Sequence, residues 1–151
     1  MTEQQQTVYV IHGPNLNTLG QREPGIYGTT RLDEINSLLC QEGRACNLAV
    51  ECFQSNHEGA IIDRIQAAAD DASTVGMIIN PAAFTHYSIS IRDALATCVF
   101  PVVEVHLTNI YGREQFRRHS VTAEVATGVI SGLGPGGYLM ALKWLVGRLR
   151  D

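Results

Sequence analysis

The chain has 151 residues, 45% apolar and 17% charged, which suits one domain whose core is large enough to fold without crosslinks. A formal charge of -4 with no basic run argues against a nucleic-acid partner, because phosphate backbones attract clustered lysine and arginine. No apolar stretch approaches the roughly 20 residues of a bilayer span. The opening MTEQQQ has neither the basic flank nor the apolar segment of a signal peptide, so a cytoplasmic protein without a membrane partner is expected.

The first predicted strand is the apolar run 8–11, and it leads into HGPNLNTLGQREPGIYG (12–28). That stretch is too long, polar and Gly/Pro-punctuated for a simple connection, and loops of this length are usually functional. Residues 13–29 are therefore read as an active-site lid without regular structure, carrying Asn15, Asn17, Arg22, Glu23 and Tyr27. Residues 1–6, ahead of the strand, are expected to be flexible.

A first helix follows, with Leu32, Ile35, Leu38 and Leu39 on one stripe, Thr30 and Asp33 as its cap pair and Gly43 as its stop. Strand 48–53 precedes a second helix that starts near Ser55–Glu58 and runs through Ile61, Ile65, Ala68 and Ala72. Strand 75–79 ends in Asn80-Pro81, ahead of a third helix over 89–98. Strand 102–107, a weaker strand 126–130 and a fourth helix over 137–149 complete the pattern, the last striped by Leu139, Leu142, Leu145, Val146 and Leu149. Strands alternating with helices imply a parallel sheet covered on both faces. Right-handed crossovers make a flavodoxin-like, doubly wound α/β fold with five strands in order 2-1-3-4-5 the simplest solution, a single domain over 1–151.

In that order three strand ends with polar residues meet at one crevice. Strand 1 runs into Gly13-Pro14-Asn15, strand 3 into Asn80-Pro81 and strand 4 into Glu104, His106, Thr108 and Asn109. The alternation of Glu104, His106 and Thr108 with apolar residues puts all three on one face of a strand that should be apolar on both. Two readings fit: a satisfied core histidine, or a general acid with its orienting carboxylate. Asn80 at a strand end either caps a turn or holds an anionic or oxyanionic ligand, and His86 is either a surface residue or part of that site. Arg113, Arg117, Arg118 and His119 lie in a polar segment from which one arginine can anchor a carboxylate, with Arg118 and His119 assigned to solvent.

Other chemistries lack their marks. Cys40, Cys46, Cys52 and Cys98 form no CxxC pair and read as small apolar residues, and His12, His57, His86, His106 and His119 show no metal-binding spacing. No metal and no cofactor is expected. Gly132, Gly134 and Gly137 match GxGxxG, but after the last strand rather than the first, so the match is taken as accidental. A phosphate loop and a GxSxG elbow are both missing.

The ordered motifs GPNLNTLG, REPGIYG, FQSNHEG, NPAAFTH, IRDAL, EVHLTNI, REQFRRHS and GLGPGGYLMAL span nearly the whole chain. Together they resemble the type II 3-dehydroquinate dehydratases. The resemblance implies an anti elimination of water from 3-dehydroquinate to 3-dehydroshikimate, without metal or Schiff base. It further implies Tyr27 as the base, Arg22 as the cation beside it, Asn15 holding a water at the ketone oxygen, His106 as the acid and Glu104 orienting it. Asn80, His86, Leu107, Thr108 and Arg117 match substrate-holding positions, and Asp93 matches a residue reaching in from a neighbouring subunit of a dodecamer built from trimers. Ala82 stands where glycine is usual in that family, Phe84 where tyrosine is frequent, Thr108 where serine is common and Tyr111-Gly112 where His-Ala is typical. The rival readings are a non-catalytic binding protein on the same scaffold and a flavin or nucleotide carrier using the same crevice.

Overall fold

The computed structural model describes residues 3–21 and 24–151, with only the backbone for Pro24 and Tyr27. Five strands, β1 (Thr7–His12), β2 (Ala49–Gln54), β3 (Thr74–Asn80), β4 (Val102–His106) and β5 (Gly128–Ser131), form one parallel sheet in the order β2-β1-β3-β4-β5. The expected order is the observed one. In chain order the helical elements longer than three residues are α1 (Pro24–Tyr27), α2 (Leu32–Ala45), α3 (Glu58–Asp70), the 3₁₀ segment Ala82–His86, α4 (Ile89–Ala96) and α5 (Gly136–Leu149).

The period-2 geometry of the strands divides the core in two. Val8 and Val10 of β1, Ile78 of β3, and Val103 and Val105 of β4 pack with Ile35, Leu39, Tyr138, Leu142 and Leu145 beneath α2 and α5. Their neighbours Tyr9, Ile11, Met77, Ile79 and Val102 pack with Ile61, Ile65, Ile91 and Leu95 beneath α3 and α4. Each buried leucine or isoleucine side chain contributes about 1.5–3 kcal/mol, so each helical stripe is held chiefly by its apolar face.

Several local expectations are corrected. The first helix begins after Arg31, whose backbone N–H donates to Glu34 Oε1 at 3.4 Å, so the caps are not Thr30 and Asp33. Gly43 lies inside α2 instead of stopping it: a Cβ there would stand 2.5 Å from Val50 Cγ2, and its absence lets the helix close on β2. The helix ends two residues later, where Asn47 takes the left-handed turn at φ 59°. The buried stripe of α5 centres on Tyr138, Ala141, Leu142 and Leu145, whereas Leu149 is exposed. The 13–29 segment is not structureless, since Leu16–Thr18 forms a 3₁₀ turn and α1 adds one helical turn.

Candidate active site

The carboxyl ends of β1, β3 and β4 open onto one cleft, as the strand order requires. Gly13 allows the first two ends to close up. Its N–H donates to Asn80 O at 2.7 Å, and a Cβ at this position would meet Pro81 O at 2.3 Å. Beyond it the chain turns at Asn15, with φ 70°, and Asn15 N–H donates to Asn56 Oδ1 at 2.9 Å, tying the start of the 13–29 segment to the chain just past β2. Asn15, Leu16, Thr18 and Leu19 then form one wall of the cleft.

β3 supplies Asn80, 3% exposed, which does two jobs. Its Oδ1 accepts from Ala82 N–H at 3.0 Å, making the turn into the 3₁₀ segment, and the residue also lines the cleft. Ala82 is thereby held at φ 52°, a left-handed conformation that favours glycine. His86, at the end of that segment, lines the same cleft and donates from Nδ1 to His119 O at 2.8 Å. Partial burial pushes its pKa below the ordinary histidine value, so the unprotonated ring is favoured there.

β4 supplies the titratable pair. Glu104 is fully buried and His106 nearly so, both on the sheet face that packs against α3 and α4. His106 Nε2 donates to Glu104 Oε2 at 2.9 Å. Ser120 and Thr85 hydroxyls donate to the same oxygen at 2.8 and 3.2 Å, and Thr122 donates to Oε1. Burial by itself would raise the Glu104 pKa, but these hydrogen bonds and the charge of His106 hold it below the ordinary carboxylate value. Glu104 is therefore ionised near neutral pH behind His106, which faces the cleft. Of its three hydroxyl partners, Thr85 and Ser120 fall inside the NPAAFTH and REQFRRHS motifs without an assigned role, and Thr122 lies outside every motif.

Leu107, Thr108 and Ile110 continue the wall past β4, and Arg113 and Arg117 close it. Arg117 Nε donates to Glu114 Oε2 at 2.7 Å, which fixes one edge of the guanidinium. Both arginines come from the polar segment in which one anchoring arginine is expected, and half-buried Arg113 joins Arg117 at the cleft. The glycines of the GxGxxG match shape the turn after β5 instead. Gly132, at φ 92°, donates to His106 O, Gly134 to Leu107 O, and Gly137 sits against Ile130 and Val105.

Of the expected site residues, Asn15, Asn80, His86, His106, Leu107, Thr108 and Arg117 line one cleft, with Glu104 directly behind it. Asp93 lies outside it, exposed on α4 beside Arg92. Arg22 and the side chain of Tyr27 fall outside the described residues. Among the described residues no group of three or more His, Cys, Asp or Glu side chains is placed to hold a metal ion, and no helix is long and apolar enough to cross a membrane.

The family model for dehydroquinase class II matches residues 6–146. The chain is 56% identical over 140 residues to a 3-dehydroquinate dehydratase of Roseiflexus castenholzii, covering 93% of this chain and 88% of that protein. It is 54% identical over 147 residues to a 3-dehydroquinate dehydratase of Gloeothece citriformis, covering 97% of this chain and 95% of the relative. The crystal structure of a type II dehydroquinase from Propionibacterium acnes superposes with a TM-score of 0.90 at 46% identity, covering 97% of this chain and 99% of that one. With a match across nearly its whole length and a fold that follows it, this chain belongs to the dehydroquinase class II family.

Proposed function

We propose that this chain is a 3-dehydroquinate dehydratase, a hydro-lyase that forms 3-dehydroshikimate by anti elimination through an enolate. Family membership supports the reaction. The single observation that carries the mechanism is the buried Glu104–His106 pair, 2.9 Å apart, at the floor of the cleft.

Tyr27, as tyrosinate, takes the C2 proton beside the C3 ketone. A phenol of ordinary pKa is only about 0.1% ionised at neutral pH, so this base needs a cation, and Arg22 is the group assigned to lower its pKa. The electron pair left by the C–H bond moves onto the ketone oxygen, where a water held by Asn15 meets the developing charge. Such a preorganised donor is worth about 3 kcal/mol of barrier. The enolate then collapses to the C1=C2 double bond and expels the C1 hydroxyl, which leaves as water after His106 protonates it. With Nε2 engaged by Glu104, Nδ1 is the nitrogen that gives the proton. Returning one proton to His106 and releasing one from Tyr27 completes the cycle.

Asn80, His86, Arg117 and the backbone of Leu107 and Thr108 hold the substrate's hydroxyls and carboxylate, Arg117 by its fixed guanidinium. Asp93, exposed in one subunit, is assigned to the neighbouring subunit's site, in a dodecamer built from trimers. The enzyme is assigned to the cytoplasm as a single catalytic domain with 13–29 as its lid. Neither a metal nor an organic cofactor enters any step.

The test is to mix purified protein with 3-dehydroquinate in the presence of chelator and follow the ultraviolet absorbance of the conjugated enone. A rise that disappears in Tyr27→Phe is expected. No rise from folded protein that still binds the substrate would replace the enzyme with a binding protein on the same scaffold.

A further inference from the structure

His12 and Asn80 are register partners on the adjacent strands β1 and β3, and Tyr138 reaches both from α5. His12 and Tyr138 are fully buried and Asn80 is 3% exposed. His12 Nδ1 is 2.9 Å from Tyr138 Oη, and His12 Nε2 is 2.8 Å from Asn36 Oδ1 on α2. The Tyr138 hydroxyl also lies beside the Asn80 side chain. None of these buried groups except Asn80 takes part in the chemistry proposed above.

The direction of every proton in this chain follows from its ends. Asn36 Oδ1 only accepts, so His12 Nε2 carries the hydrogen and donates to it. Burial pushes the His12 pKa down to about 4, so the ring is neutral near pH 7 and Nδ1 is an acceptor. Tyr138 must then donate its only O–H to Nδ1, which leaves its oxygen to accept from Asn80 Nδ2. Asn80 Oδ1 is taken by Ala82 N–H at 3.0 Å. One N–H of Asn80 remains, and Asn80 lines the cleft. Flipping the amide would break the hydrogen bond from Ala82 N–H and set Tyr138 Oη against a carbonyl oxygen while its only hydrogen is committed to His12.

We infer that His12 and Tyr138 are positioning residues: through the directed chain Asn36–His12–Tyr138–Asn80 they lock the Asn80 amide with an N–H toward the cleft, as a donor to a substrate oxygen. A packing role alone would not need this chain, since an apolar trio of equal volume fills the same space without the cost of burying polar groups. The kinetic part of the inference rests on the dehydratase reading. The structural part does not.

The variant is Tyr138→Phe in the full-length protein, which keeps the ring and deletes the hydroxyl. Its KM for 3-dehydroquinate is expected to rise about tenfold with kcat within about threefold, the signature of a lost binding contact shared by ground and transition states. In an Asn80→Ala background the same substitution is expected to change KM by less than about twofold, because the group it acts through is gone. A crystal structure of Tyr138→Phe is expected to show the Asn80 amide in more than one orientation, and wild type in one. His12→Leu, which removes the acceptor of the Tyr138 hydroxyl, is the second variant and is expected to show the same split between KM and kcat. An unchanged KM in either folded variant, or a full KM effect on the Asn80→Ala background, overturns the inference. Inactive wild-type protein overturns the dehydratase reading instead, and the orientation of Asn80 in the two crystal structures then decides the positioning role, a single shared orientation refuting it.

Discussion

His106 donates through Nε2 to Glu104 at 2.9 Å, and the Glu104 carboxylate is in turn held by the hydroxyls of Thr85, Ser120 and Thr122. The imidazole orientation is thus set from behind, and the nitrogen that remains is the one available to the cleft. Replacing His106 with alanine is expected to lower kcat by about 10²–10⁴-fold, the range of a lost general acid. Steady-state assay beside a binding measurement checks this, since substrate affinity should change far less than turnover.

Glu104 also makes a prediction about acid stability. Its pKa is lowered by folding, so its contribution is fully present above the ordinary carboxylate value of 4.5 and is lost as pH falls through the lowered value. Glu104→Gln is expected to lose about 1–3 kcal/mol near neutral pH. Urea unfolding from pH 7 downward should show the gap to wild type shrinking below about pH 4. A gap that stays constant over that range would count against an ionised Glu104.

His12 predicts a second and separate pH window. Folding lowers its pKa from 6.5 to about 4, so the unfolded chain binds the extra proton first. Stability from this group is complete above pH 6.5 and declines toward pH 4, by about 3 kcal/mol in all. A variant without a titrating side chain at this position, His12→Gln, should show a flatter stability profile between those limits.

Ala82 sits at φ 52°, a conformation that costs a side-chain-bearing residue about 1–2 kcal/mol. Ala82→Gly is expected to raise stability by up to about 1 kcal/mol, since glycine's greater unfolded-state freedom offsets part of the relief. Calorimetry should show a rise of about 2–4 °C in Tm at most. A fall in Tm would mean the turn held by Asn80 tolerates alanine without strain.

Gly13 predicts the opposite sign. Its missing Cβ lies 2.3 Å from the Pro81 carbonyl, so Gly13→Ala must push the ends of β1 and β3 apart. A loss of about 1–3 kcal/mol is expected, together with weaker substrate binding, because Asn15 and Asn80 flank the displaced joint. Normal affinity in a folded Gly13→Ala protein would show that the cleft does not depend on this contact.

The sheet order, the crevice and the alternating strand of Glu104 and His106 were all legible in the chain itself. Each depends on periodicity and connection rules that act over a few residues or a single crossover, and β4 is a short strand whose polar residues stand out against apolar neighbours. The limits of α2 were less legible, because Gly43 looks like a helix stop until Val50 is seen packed against it. What only the tertiary structure decided is which distant groups complete each polar centre. Thr85, Ser120 and Thr122 lie 16 to 19 residues from Glu104, and Tyr138 lies 126 from His12. Even where these hydroxyls and this tyrosine fall inside the ordered motifs, nothing local says what they bond to, and it is the crossovers and the packing of α5 on the sheet that bring them within hydrogen-bond reach.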